Sequence, residues 1–185
     1  MDTRTTLLEA ALDLVEQRGE VALSTRAVCA KAGVAAPTLY HHFGNADGLL
    51  SAAITAGFQR FLASKLSIDY ATDPVEALRQ GWDHYVEFAA EHPNLYAAMA
   101  ARFLGGATFP AADAGRAVLD QRIADIAAQG RLRVTTSAAT DLIFATAHGA
   151  ATLFLLGNAD RDVVKILRDS TISTIVTDSE RKTPL

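Results

Sequence analysis

Residues 24–43 have the sequence Ser-Thr-Arg-Ala-Val-Cys-Ala-Lys-Ala-Gly-Val-Ala-Ala-Pro-Thr-Leu-Tyr-His-His-Phe. Ser24 is a suitable N-cap for a first short helix, because its hydroxyl can accept a hydrogen bond from an unpaired backbone N–H. Gly33 tolerates the positive φ that follows many helix ends. Pro37 stands in the first turn of a second helix, where its missing N–H is not needed. The stretch therefore predicts a helix-turn-helix.

The same stretch resembles the DNA-binding segment of the tetracycline-repressor (TetR) family. The family pattern is a threonine-capped helix, Ala-Gly-Val, a short recognition helix and Tyr-x-x-Phe. Its counterparts here are Ala32-Gly33-Val34, Pro37-Thr38-Leu39-Tyr40 and Phe43. The segment Glu91-His92-Pro93-Asn94-Leu95-Tyr96 is similar to one in many members' ligand domains. The resemblance implies a DNA-binding N-terminal domain and a helical C-terminal domain that binds a ligand and dimerises.

The resemblance also assigns DNA contacts to eight residues that face the groove or the phosphates. They are Thr25, Arg26, Ala36, Pro37, Thr38, Tyr40, His41 and His42. Among them, only Arg26 can hydrogen-bond guanine O6 and N7 together, whereas Tyr40 and Thr25 are expected to donate to phosphates. The alternatives are a solvated surface arginine at position 26 and plain exposed or capping histidines at positions 41 and 42.

The net charge of the N-terminal segment and the residue at position 46 both lower the expected affinity for DNA. Residues 1–50 hold four Lys/Arg and six Asp/Glu, which is the wrong sign for a protein that coats nucleic acid without specificity. Where the family usually has a phosphate-binding lysine at the start of the fourth helix, this chain has Ala46, followed by Asp47. The substitution removes one counterion-releasing contact per subunit.

Length, cysteine content and the apolar stretches of the chain bear on its class and its compartment. It has 185 residues, half of them apolar, and a single cysteine, Cys29, which fits a reducing compartment. No charged and apolar leader follows Met1, and the longest apolar stretch, Leu142 to Gly157, falls short of the ~20 residues of a membrane span. We therefore expect a cytoplasmic protein without a membrane partner.

Helical periodicity without strand alternation predicts an all-α fold of about nine helices. The architecture is an N-terminal three-helix helix-turn-helix DNA-binding domain followed by a C-terminal helical ligand-binding and dimerisation domain. The expected segments are the helix-turn-helix domain 1–45, a connecting helix 46–66, the ligand-binding and dimerisation domain 67–177, and a flexible tail 178–185.

The last two predicted helices are apolar on more than one face. A helix that is apolar all round is buried, and so small a chain cannot easily cover both sides. We therefore expect a homodimer through residues 137–176, with a two-fold four-helix interface. The alternative is that the two helices only complete the core of the monomer.

No nucleophile motif, phosphate-binding glycine loop or metal-ligand pair has convincing spacing, so we expect neither an enzyme nor a cofactor or metal site. Aromatic residues and histidines instead suggest an apolar cavity with polar fixtures. Its expected ligand-binding residues are Trp82, Tyr85, Phe88, Tyr96, Met99, Phe103, Phe144 and His148. The alternative is that these side chains are plain core.

Together, these features predict a TetR-type transcriptional regulator, with a repressor as the favoured form. It would bind a palindromic double-stranded DNA operator as a dimer and respond to a small hydrophobic effector. The alternative, motivated by Ala46 and the acidic N-terminal segment, is a ligand-binding or enzymatic helical protein with a vestigial DNA-binding module.

Overall fold

The computed structural model describes residues 2–106, 110–157 and 159–177. Within those ranges the chain forms nine α-helices, a 3-10 turn at Glu20–Ala22 and no strand. The helices are α1 Thr3–Arg18, α2 Thr25–Ala32, α3 Ala36–Phe43, α4 Ala46–Leu66, α5 Pro74–Glu91, α6 Pro93–Leu104, α7 Pro110–Ala128, α8 Thr136–Leu155 and α9 Arg161–Ile175. The predicted all-α fold is confirmed. The predicted tail, residues 178–185, lies outside the described residues.

Local chemistry sets the helix ends. Gly19 closes α1 with φ 76°, a conformation that L side chains rarely adopt. The side chain of Asn45 accepts a hydrogen bond from Gly48 N at 2.7 Å and so caps α4. Asp73 Oδ2 accepts one from Glu76 N at 3.1 Å at the start of α5. These short polar side chains satisfy N–H groups that the first helical turn leaves unpaired.

One compact unit comprises residues within Met1–Leu66 and Glu91–Ala112. It contains α1 to α4 together with α6, and α6 packs against α1 and α4. Fully buried side chains form its core: Leu7, Leu12, Val15, Val28, Leu39, Leu49, Ile54, Leu95 and Tyr96. We call this unit the head, because it carries the helix-turn-helix.

The second compact unit comprises residues within Ser67–Ala90 and Asp113–Leu185. It contains most of α5 and α7 and all of α8 and α9. Its core side chains include Leu78, Trp82, Val86, Ile123, Ile126, Ile143, Val164, Ile172 and Ile175. Three ion pairs join α5 to α9: Arg79–Asp169, Asp83–Arg168 and Glu87–Arg161. We call this unit the C-terminal unit.

Helix α8 is longer than the apolar stretch identified in the sequence. It has 20 residues, and by length and composition alone it would suit a membrane span. The apolar stretch belongs to a longer helix, which begins six residues before Leu142, and one such helix is weak evidence for a membrane span. Only 33% of its most apolar window is buried inside the chain. Much of the apolar surface of α8 is therefore not covered by the rest of the chain.

Candidate DNA-binding surface, ligand-domain core and dimer face

The helix-turn-helix forms as the sequence predicts. Ser24 Oγ accepts a hydrogen bond from Ala27 N at 3.2 Å and caps α2. Gly33 follows α2 in the left-handed conformation at φ 68°, and Val34 N donates to Cys29 O at 3.1 Å. Such a turn satisfies carbonyls that the helix end would leave unpaired. It directs the chain into α3, whose Leu39 is fully buried.

The structure leaves the outer side of α3 accessible. Pro37, Tyr40 and His41 are exposed, with 48% of Tyr40 accessible, while Ala36, Thr38 and His42 are half-buried. On α2, Arg26 is exposed and Thr25 is half-buried. None of the eight predicted DNA-contacting residues is buried, so each remains a candidate.

The junction between α3 and α4 is tightly packed at Gly48. A Cβ atom on this residue would lie 2.2 Å from the backbone oxygen of Phe43, far inside van der Waals contact. Only glycine therefore allows α3 and α4 to approach this closely. Sequence reasoning missed this requirement, although a glycine in the first turn of a helix, where it costs stability, was a usable signal.

Arg102 of α6 holds the first turns of α4. Its guanidinium donates to Ser51 Oγ at 2.6 Å and pairs with the carboxylate of Asp47. Only 17% of the Arg102 side chain is exposed. Sequence reasoning also missed this residue, because nothing local connects positions 47 and 102. Within the head, α6 thus positions the helix that follows the candidate recognition helix.

Five of the predicted ligand-binding residues lie in the C-terminal unit: Trp82, Tyr85, Phe88, Phe144 and His148. Tyr85 Oη and His148 Nδ1 are hydrogen-bonded at 2.9 Å, and the ring of Phe144 stacks on His148 with centroids 5.6 Å apart. Burial lowers the pKa of His148 below its ordinary value of 6.5. The imidazole is therefore held neutral near pH 7.

The other three predicted ligand-binding residues belong to the head. Tyr96 and Met99 are buried and Phe103 is 45% exposed, all on α6. The predicted set therefore divides between two compact units, and within the C-terminal unit Tyr85 and Phe144 each contact His148. The indole Nε1 of Trp82 is buried and finds no acceptor in the described part of the chain.

Helices α8 and α9 each expose apolar or small side chains. On α8 the exposed residues after Asp141 are Leu142, Ala145, Gly149, Thr152 and Leu156, the last just beyond the helix end. On α9 the large exposed apolar residues are Val163 and Ile166, at 48% and 63% accessibility. We call this set the α8–α9 face. The i, i+3, i+7 spacing along α8 is the pattern of a helix–helix seam.

Two family models match this chain. The one described as "Bacterial regulatory proteins, tetR family" matches residues 7–53, from α1 into α4. The one described as "Tetracyclin repressor-like, C-terminal domain" matches residues 78–172, which is more than half of the chain. The two matches together include the helix-turn-helix, α6 and all residues of the α8–α9 face.

The HTH-type transcriptional regulator UidR of Escherichia coli (strain K12) is 30% identical over 89 residues, which are 48% of this chain and 40% of UidR. The structure of a protein of unknown function from Rhodococcus sp. RHA1 has a TM-score of 0.81 and 25% identity, covering 96% of this chain and 97% of that one. A TetR transcription regulator from Haloarcula marismortui ATCC 43049 has a TM-score of 0.75 and 18% identity, covering 95% and 99%. The chain belongs to the TetR family of DNA-binding transcriptional regulators.

Proposed function

We propose that this protein is a dimeric repressor that binds a palindromic operator and responds to a small, largely apolar effector. The observation that carries the proposal is the pairing of two exposed surfaces in one chain. The outer side of α3 is accessible on the head, and the α8–α9 face is accessible on the C-terminal unit. The first fits a DNA groove and the second fits a second copy. Such a regulator acts in the cytoplasm, on the DNA it controls.

In this proposal α3 enters the major groove. Ala36, Pro37 and the methyl group of Thr38 offer apolar contacts to thymine methyl groups, and Arg26 offers the bidentate contact to guanine. Tyr40 and Thr25 donate to phosphates, and His41 and His42 lie at the end of the helix, where either can reach the backbone.

The α8–α9 face supplies the two-fold axis. A palindromic operator repeats its half-site about one helical turn away, so the two recognition helices must be held by a symmetric pair of subunits. Large side chains such as Leu156, at 65% accessibility, gain burial when a second copy covers them. The interface lies within residues 137–176, as the sequence predicts, with Leu142, Gly149 and Ile166 among its contacts.

The effector site is proposed in the C-terminal domain, with Tyr85 and His148 as its polar fixtures. A buried Trp82 Nε1–H without an acceptor in the described residues suits a ligand that carries a hydrogen-bond acceptor on an apolar body. Trp82, Phe88 and Phe144 of the C-terminal unit would supply apolar surface. The alternative is that these side chains only form the core of the domain. In that case no ligand should change the fluorescence of Trp82.

Effector and operator are coupled in this proposal through α4. It starts at Ala46, three residues after the recognition helix, and ends at Leu66, where the C-terminal unit begins. Linkage requires that each ligand change the affinity of the other by the same factor. Typical coupling of ~1–3 kcal/mol would change the affinity for DNA by about 5–150-fold.

The proposal is tested by selecting bound duplexes from a random pool with the wild-type protein. We expect an enriched palindrome, and we expect Arg26→Ala to cost roughly 1–3 kcal/mol and to relax the preference at one symmetric base pair. Tyr40→Phe, the matched control for a phosphate donor, should weaken all duplexes about equally. A wild-type protein that enriches no sequence would support the vestigial module instead.

A further inference from the structure

Arg4 of α1 lies at the end of the candidate recognition helix. Its guanidinium carbon is 5.2 Å from the centroid of the Phe43 ring, and Phe43 is the last residue of α3. A cation over an aromatic face is attracted by the negative potential of the ring. Arg4 is itself exposed, so the contact holds a positive charge at this end of α3 while leaving it accessible to solvent.

Most other cations of the head are already engaged within the chain. Lys31 pairs with Asp13 at 3.4 Å, Arg60 pairs with Glu9, and Arg102 pairs with Asp47. Lys65 is buried and lies over the ring of Phe61.

Arg4, Arg18 and Arg26 therefore remain as the arginines of the head that form no ion pair with any described residue. Arg18 ends α1, fourteen residues after Arg4, or about 21 Å along the helix axis. Arg18 therefore lies at the opposite end of α1 from Arg4, and Arg26 lies on α2 within the helix-turn-helix.

Phe43, whose ring Arg4 contacts, lies beside the start of α4. The carbonyl of Phe43 abuts Gly48 in the first turn of that helix, so Phe43 and Ala46 lie at the same junction. Ala46 has no charge to offer there, and the charge of Asp47 is balanced by Arg102. A phosphate that approaches this junction would therefore meet Arg4 as its cation.

We infer that Arg4 is a phosphate-binding residue of the DNA-binding surface, one in each subunit, at the junction between α3 and α4. The inference rests on the proposed DNA-binding function. It assigns Arg4 to sequence-independent affinity, in contrast to Arg26, because a phosphate contact carries no base information. A dimer would then release two counterions through Arg4 alone.

The test measures binding of fluorescein-labelled 30-bp duplexes by anisotropy as a function of KCl concentration. One duplex is selected from a random pool by the wild-type protein, and the other is unselected. Each neutralised phosphate contributes about 0.9 to the slope of log affinity against log salt, so Arg4→Gln should reduce the slope by about 1.8 for a dimer. The ratio of wild-type to variant affinity should then grow about 60-fold for each tenfold dilution of salt.

Three variants separate charge from structure. Arg4→Lys should keep the wild-type slope, and Arg18→Gln, the matched loss of an exposed arginine at the far end of α1, should also keep it. Adding Ala46→Lys to Arg4→Gln should restore the slope, because it returns a cation to the same junction. All variants are compared by thermal melting.

The inference is overturned if Arg4→Gln changes the slope no more than Arg18→Gln does. It is equally overturned if Arg4→Lys loses as much slope as Arg4→Gln, since the arginine would then act only by packing on Phe43. A wild-type protein without salt-dependent binding to either duplex would overturn the proposed function as well, so the two failures are distinguishable.

Discussion

Gly149 offers the sharpest test of the dimer, because its own subunit places no demand on it. It lies in the interior of α8, and a Cβ atom built there would meet nothing within 4 Å. A glycine in the interior of a helix makes the helix less stable than most other residues would, by up to about 1 kcal/mol. Replacement by glutamine should therefore stabilise an isolated subunit. The proposed dimer accounts for a glycine at this position by the close approach of a partner helix.

In the dimer, the same substitution should be destabilising rather than stabilising. Inserting a larger side chain into a packed contact costs typically 1–3 kcal/mol, and two-fold symmetry places two of them in the interface. The dimer should lose about 2–6 kcal/mol, which raises its dissociation constant by at least 25-fold. Operator binding should weaken with it, because the two recognition helices would no longer be held together.

The assay is sedimentation velocity at protein concentrations from about 0.1 to about 50 µM, a range that brackets a micromolar dissociation constant. It measures the proportions of monomer and dimer. Ala124→Gln, an exposed change on α7, is the matched control and should leave the distribution unchanged. Leu153 is a poorer probe of the interface, because it packs against the core of the C-terminal unit. If Gly149→Gln sediments as the wild type does at every concentration, the α8–α9 face is not the dimer interface.

Two further predictions concern stability. Gly48→Ala should destabilise the head by roughly 1–3 kcal/mol, because its Cβ would overlap the Phe43 carbonyl. An increase in the free energy of unfolding in urea, as expected from the higher helix propensity of alanine, would contradict this. Because the pKa of His148 is lower in the folded chain, the unfolded chain binds a proton more readily. The free energy of unfolding should therefore fall as the pH drops below 6.5. His148→Gln should lack that step in urea midpoints measured from pH 7.5 downward, and identical pH profiles would refute the assignment.

Helix ends were predictable because their chemistry is local. Ser24, Gly33 and Asn45 act on backbone groups within four residues, so their roles can be recognised in the sequence itself. The partner of each buried face was not predictable. Periodicity places Tyr96 and Met99 on one face of α6, and both are buried. It does not show that α6 packs against α1 and α4 rather than against the helices that flank it in sequence.

The candidate sites divide in the same way. The outer face of α3 follows from the 3.6-residue period and one buried leucine, Leu39. The ligand-binding set does not follow, because a core aromatic and a cavity aromatic have the same spacing. The Tyr85–His148 contact joins α5 to α8 across 63 positions, and no local signal specifies such a pair.

Charge shows most clearly how a sequence boundary can mislead. Counted over residues 1–50, the DNA-binding region is acidic, and this motivated the vestigial alternative. The folded head, however, also includes Arg60 and Arg102, which neutralise Glu9 and Asp47. Over the ranges of the head, seven Lys/Arg balance seven Asp/Glu, so the negative charge of the chain resides in the C-terminal unit. The head is therefore neutral as a whole, and Arg4, Arg18 and Arg26 form no ion pair with any described residue, which weakens the electrostatic argument against the proposed DNA binding.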